Sequence, residues 1–248
     1  MKKWVKIIIG VSSALLTLGI AVSIIVPVSV NAVRNPAAPR VNKNKKHIAC
    51  IGDSLTYGVG TFFRDYESYP AFLSKKVPQE YQILNYGLSG RTATSTGNYP
   101  YINERFYNIS KEVKADIYII MLGTNDSKAD NWSKAGDNGI SYKTEFKQIV
   151  ESYKNLDNNP TIYVMQPPRA YPRYKSGLSI YGINNDLIST TIYDYVQEIA
   201  DELNINCIDL YNFTKDHPGW YSDGVHFKAS GYKEIANYIS ELLTYPTD

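Results

Sequence analysis

The sequence predicts an α/β protein built on a parallel sheet with helices covering both faces. Three observations lead there. After residue 46, apolar runs of strand length alternate with longer amphipathic stretches. The stretch 185–203 repeats Leu187, Ile188, Ile192, Tyr195, Val196, Ile199 and Leu203 at helical spacing. Residues suited to chemistry follow the ends of the apolar runs, where such sheets hold their ligands. Alternating strands and helices imply crossover connections and hence a sheet buried on both sides.

In chain order, Lys2, Lys3 and Lys6 precede an uncharged run from Ile7 to Val30. Twenty helical residues span about 30 Å, so this run is long enough to cross a bilayer. The lysines are expected to stay in the cytoplasm, which exports the rest. Residues 1–32 therefore read as a signal peptide or a membrane anchor. Pro27 and Val30-Asn31-Ala32 suit cleavage, whereas the length of the run suits retention. Residues 33–46, with Pro36, Pro39, Asn42 and three lysines, read as a flexible tether. The domain is expected over 47–245. Its strand candidates are 47–52, 81–86, 116–122, 161–166 and 205–210; its helix candidates lie near 68–76, 102–112, 140–156, 185–203 and 229–243.

Composition narrows the function. At 248 residues the chain has room for one domain with a full core plus an extra segment. The net charge of +2, from 26 basic against 24 acidic residues, gives no reason to expect nucleic acid as a partner. The 22 tyrosines suit strands and a wet surface more than they mark a sugar-binding face.

A serine hydroxyl becomes a useful nucleophile when an imidazole takes its proton and a carboxylate orients that imidazole. Ser54 follows the first strand, and three histidines compete to be its base. His47 opens that same strand, so about 20 Å of extended chain separates it from Ser54. His217 stands before Pro218 without a carboxylate three or four residues away. His226 has Asp223 three residues earlier, a spacing at which the two side chains can face one another. Acyl transfer also needs donors for an oxyanion. The Ser54 amide, the amide of Gly90, where no Cβ obstructs approach, and the Asn125 side chain are the candidates.

Four segments then stand out together: Gly52-Asp53-Ser54-Leu55, Asn85-Tyr86-Gly87-Leu88-Ser89-Gly90, Gly123-Thr124-Asn125-Asp126 and Asp223-Gly224-Val225-His226. They resemble, in order, the first, second, third and fifth blocks of the SGNH or GDSL-type serine hydrolases. The resemblance covers residues 52–226. It implies a three-layer α/β/α sandwich, flavodoxin-like, with a five-stranded parallel sheet. It implies Ser54, Asp223 and His226 as a triad, Ser54, Gly90 and Asn125 as oxyanion donors, and no metal or organic cofactor. One departure is Phe227, where the family often has proline; a local packing change is expected. If the strand order is the family's 2-1-3-4-5, two strands separate Cys50 from Cys207. At about 4.8 Å per strand they lie some 14 Å apart, beyond the roughly 7 Å a disulfide spans, so free thiols are expected.

Other residues near the blocks admit two uses each. Asp53 is expected to hold the turn, and Asp126 to cap a helix or brace the site. Tyr99, Tyr101 and Trp132 either flank an acyl or sugar site or pack. Arg91 either contacts an anionic substrate or is ion-paired. The segments 96–101 and 123–128 with Trp132 are similar to an acetylxylan or sialate O-acetylesterase-like branch of the family. The expected activity is therefore an exported serine esterase that removes small acyl groups, acetyl first, from a carbohydrate or cell-surface substrate. A lipase or lysophospholipase, an acyltransferase and a non-catalytic carbohydrate-binding protein are the alternatives. The connection 167–182, rich in tyrosine and carrying Arg169, Arg173 and Lys175, fits a polar substrate better than a lipid.

Overall fold

A computed structural model describes residues 35–134, 136–173 and 177–246. The expected signal or anchor segment lies outside the described residues. Among those described, no helix is long and apolar enough to cross a membrane. Residues Ala38–Asp248 form one compact unit, which holds all that follows.

Five strands, β1 (Lys46–Gly52), β2 (Tyr81–Gly87), β3 (Ile117–Met121), β4 (Thr161–Met165) and β5 (Asn206–Ile208), pair in parallel in the order β2-β1-β3-β4-β5. This is the expected strand order. The main helices are α1 (Ser54–Tyr57), α2 (Tyr69–Leu73), α3 (Arg105–Glu112), α4 (Ile140–Lys154), α5 (Tyr193–Leu203) and α6 (Ala229–Leu242).

Alternation along the strands builds the three layers. On β1, Ala49 and Ile51 point to one face, where Tyr86, Ile120 and Val164 join residues of α3, α4 and α5 such as Phe106, Phe146 and Val196. Ile48 and Cys50 point to the other, where Ile119 and Met165 meet Leu73 of α2 and Tyr232, Ile235 and Ile239 of α6. Both sets are buried, so the strand has no solvent face and no polar alternation. Each such aliphatic side chain stabilises the fold by about 1.5–3 kcal/mol relative to exposure.

Three differences from expectation have a visible physical cause. Within the segment 33–46, expected as a tether, residues from Ala38 onward belong to the compact unit. The Gln82 side chain donates to Arg40 O and accepts from Asn42 N–H, both at 2.8 Å, fastening this segment beside β2. The helix expected over 185–203 is interrupted by a π-helical turn at Ile188–Ile192. There Thr190 and Ser189 hydroxyls bond Asp186 O at 2.7 and 3.2 Å, engaging a carbonyl the α-helical ladder would use. The last strand stops at Ile208 because Asp209 turns the chain, its Oδ1 accepting Asn212 N–H at 2.9 Å.

Both cysteines are free, on β1 and β5 with β3 and β4 between them. Burial pushes each thiol up to about 12. Thiol titration is expected to find slow reaction in the native protein and two thiols after denaturation, with gel mobility unchanged by reductant. A mobility shift on reduction would contradict the topology.

Candidate active site

The site lies beyond the carboxyl ends of the strands. Ser54 begins α1 directly after β1, and the Asp53 carboxylate caps the turn by accepting Leu55 N–H at 2.9 Å. The turn closes as Gly58 N–H reaches Ser54 O at 3.0 Å. Gly87, at the end of β2, lies against it so closely that an added Cβ would stand 2.1 Å from Tyr57 N. A glycine there lets the Ser54 turn rest on the sheet.

A second turn carries Asp223 and His226. An antiparallel bridge between Tyr221 and Phe227 and a 2.8 Å bond from Ser222 N–H to His226 O close a short loop. Inside it, Asp223 Oδ1 accepts the Val225 and His226 amides at 2.9 and 2.7 Å. Asp223 Oδ2 stands 2.8 Å from His226 Nδ1, and His226 Nε2 stands 2.9 Å from Ser54 Oγ. A proton on Nδ1, donated to the carboxylate, leaves Nε2 to accept from the serine hydroxyl. Burial opposes ionisation of Asp223, but the bonds from the His226 ring and backbone hold its carboxyl well below the usual range. Tyr181 adds one more contact: its hydroxyl donates to Asp223 Oδ2 at 3.0 Å, and its ring meets the imidazole edge-to-face at 5.2 Å.

The third group of residues surrounds Gly90. Its φ of +83° lies in the left-handed region, and an added Cβ would meet only Tyr99 Cδ2, at 3.9 Å. Arg91 braces this bend by donating to Ser89 O at 2.8 Å while pairing with Glu104 at 2.9 Å. Asn125 Nδ2 donates to Arg91 O at 3.1 Å and to Asp53 Oδ2 at 3.3 Å. Both its hydrogens are engaged, so donation to an oxyanion would exchange the longer bond. Asp126 accepts from Ala93 N–H, Thr94 N–H and the Thr94 hydroxyl at 2.9 to 3.0 Å, fixing the segment after Gly90.

The remaining candidates sort by position. Asp126 is a brace rather than a helix cap. Arg91 is buried and ion-paired. Tyr101 is fully buried with its hydroxyl on Tyr86 O, and Trp132 packs on Tyr142, so both belong to the packing. Tyr99 is half exposed beneath the Arg91 guanidinium, beside Gly90. His47 bonds Asn42 O, and His217 stacks on Trp220. Tyr181 has no motif of its own; the turn signal beside it is Gly182. Among the described residues no cluster of His, Cys, Asp or Glu could hold a metal ion.

Burial pushes Asp53 and Asp126 up to about 6, against the pull of their hydrogen bonds. The folded state therefore keeps these protons at pH values where the unfolded chain, near 3.9, has lost them. Stability falls as pH rises between about 4 and 6, by at most on the order of 3 kcal/mol for each group. Asp223 acts in the opposite sense, but its contribution is complete above the ordinary aspartate value and is lost only as pH falls through its lower folded value. Denaturant titrations are expected to give a declining unfolding free energy from pH 4.5 to 6.5 and a shallower decline in Asp126→Asn. Equal slopes in the two proteins would exclude Asp126 as a source.

Residues 50–234 match the family model of the GDSL-like lipase/acylhydrolase family. The chain is 30% identical over 223 residues to an acetylxylan esterase of Xylanibacter ruminicola, covering 83% of this chain and 44% of that protein. It is 25% identical over 209 residues to an N-acylneuraminate cytidylyltransferase of Escherichia coli O18:K1:H7, covering 82% and 43%. The chain thus spans less than half the length of these curated relatives. A carbohydrate acetylesterase from Sinorhizobium meliloti shares the fold with a TM-score of 0.60 at 20% identity, over 79% of this chain and 97% of that one. An aryl esterase of M. smegmatis does so with a TM-score of 0.58 at 21% identity and the same coverage. With three quarters of its length matched, the chain belongs to the GDSL-like lipase/acylhydrolase family.

Proposed function

We propose that the chain removes small acyl groups, acetyl above all, from a carbohydrate by covalent catalysis at Ser54. The observation that carries this reading is the continuous path from Asp223 Oδ2 through the His226 ring to Ser54 Oγ, with steps of 2.8 and 2.9 Å. Ser54 Oγ attacks the ester carbonyl as His226 Nε2 takes its proton, and Asp223 orients the imidazolium. The Ser54 and Gly90 amides and the Asn125 side chain stabilise the oxyanion. His226 then protonates the departing sugar oxygen, and water releases the acyl group by the same steps in reverse order.

The acetylxylan esterase relative and the polar surroundings of the site support a carbohydrate carrier. We propose also that the domain works outside the cytoplasm, since Lys2, Lys3 and Lys6 precede the uncharged run Ile7–Val30. Protease treatment of intact cells, or recovery from the medium, checks this, and strict protection inside the cell contradicts it.

Acetate release from a panel of O-acetylated glycans is the direct test. Ser54→Ala and His226→Ala are expected to lose several orders of magnitude in turnover with the fold intact. Asn125→Ala is expected to lose about 10²- to 10³-fold. Nitrophenyl acetate is expected to be cleaved and the palmitate ester not; the converse would indicate a lipase. Near-normal activity in Ser54→Ala would refute the mechanism.

A further inference from the structure

We propose that Tyr181 is a positioning residue for the Asp223–His226 pair, its hydroxyl fixing the carboxylate and its ring covering the imidazole. The proposal rests on the triad reading above. Asp223 Oδ1 is occupied by two backbone amides, and Oδ2 by the His226 ring. One acceptor position on Oδ2 remains, and the Asp223 side chain is 21% exposed, so water competes for it. The Tyr181 hydroxyl holds that position at 3.0 Å. A carboxylate bonded from four directions cannot swing about its own Cβ–Cγ bond, and the imidazole it orients stays aimed at Ser54.

The tyrosine is delivered there by a turn that owes nothing to Asp223. Ser179 is buried, and its hydroxyl oxygen accepts the amides of Tyr181 and Ile183 at 3.3 and 3.1 Å. Gly182 N–H reaches Ser179 O at 3.1 Å, and Ser179 N–H reaches Ile183 O at 3.2 Å. Ile183, 2% exposed, roots the turn in the core. Earlier in the same connection, Tyr171 N–H donates to Gly224 O at 2.8 Å, inside the turn that carries Asp223 and His226. The connection therefore grips the acid–base turn at two points. Tyr181 itself remains 47% exposed, a poor place to bury apolar surface for stability.

The test compares Tyr181→Phe, Tyr181→Ala and Asp223→Asn, alone and combined, on nitrophenyl acetate, with Ser54→Ala as the reference. Tyr181→Phe keeps the ring and loses the hydroxyl; it is expected to lower kcat about 5- to 10-fold with KM unchanged, the size of one charged hydrogen bond partly shared with water. Tyr181→Ala is expected to lose more. In the Asp223→Asn background, Tyr181→Phe is expected to have no further effect, because the two act as one unit. Wild-type kcat in Tyr181→Phe, a change confined to KM, or an undiminished loss in the Asp223→Asn background each overturns the proposal. If these occur while Ser54→Ala is inactive, only the role of Tyr181 falls. Activity in Ser54→Ala removes the triad reading and this role with it.

Discussion

Flush strand ends govern the arrangement of this molecule. Gly52 pairs across the sheet with Gly87 on one side and Met121 on the other, so three strands stop at one level. The turns that follow them emerge side by side, and Asn125 bonds both Asp53, beside Ser54, and Arg91, beside Gly90, though none of these segments is close in sequence. Small residues at the ends of the first two strands are a condition of this. A side chain at Gly87 would meet the backbone of the Ser54 turn, and one at Gly52 would stand 2.6 Å from Met121 O. Packing of the sheet and placement of the polar groups at its rim are thus settled by the same few atoms.

Three carboxylates at the rim divide the electrostatic work. Asp53 ties the Ser54 turn to Asn125, since one oxygen holds Leu55 N–H and the other receives the Asn125 amide. Asp126 holds the segment after Gly90. Asp223 holds the imidazole. The first two are fully buried and costly to ionise, which is tolerable because each accepts donors from backbone that would otherwise be unsatisfied. The third sits nearer to water and is the most readily charged. Their surroundings, and not their identical chemistry, separate two structural roles from one proposed to serve catalysis.

Much of this was legible in the sequence because it depends on local pattern. Alternating runs announced the sheet, and the three-residue spacing of Asp223 and His226 announced that the pair could face one another. Asp53 as the holder of a turn follows from its place before Ser54. The fastening of Arg40 and Asn42 is not legible, because its partner, Gln82, lies some forty residues away and nothing in a polar segment announces a distant side chain. The π-turn within 185–203 depends on which hydroxyl captures the Asp186 carbonyl, a competition that hydrophobic spacing does not register. Tyr181 is one of many tyrosines and carries no local signal, since its position is set by the Ser179 turn and by the fold around it.

The bond between His226 and Ser54 joins residues 172 positions apart, whereas the Asp223–His226 contact spans three. One is stitched by its own loop; the other relies on α6, the sheet and the turn after β1 keeping station. A seam of that kind is where thermal loosening is felt first. Asp223 and His226 would stay married through small excursions of the scaffold, while the Ser54 hydroxyl drifts in and out of reach.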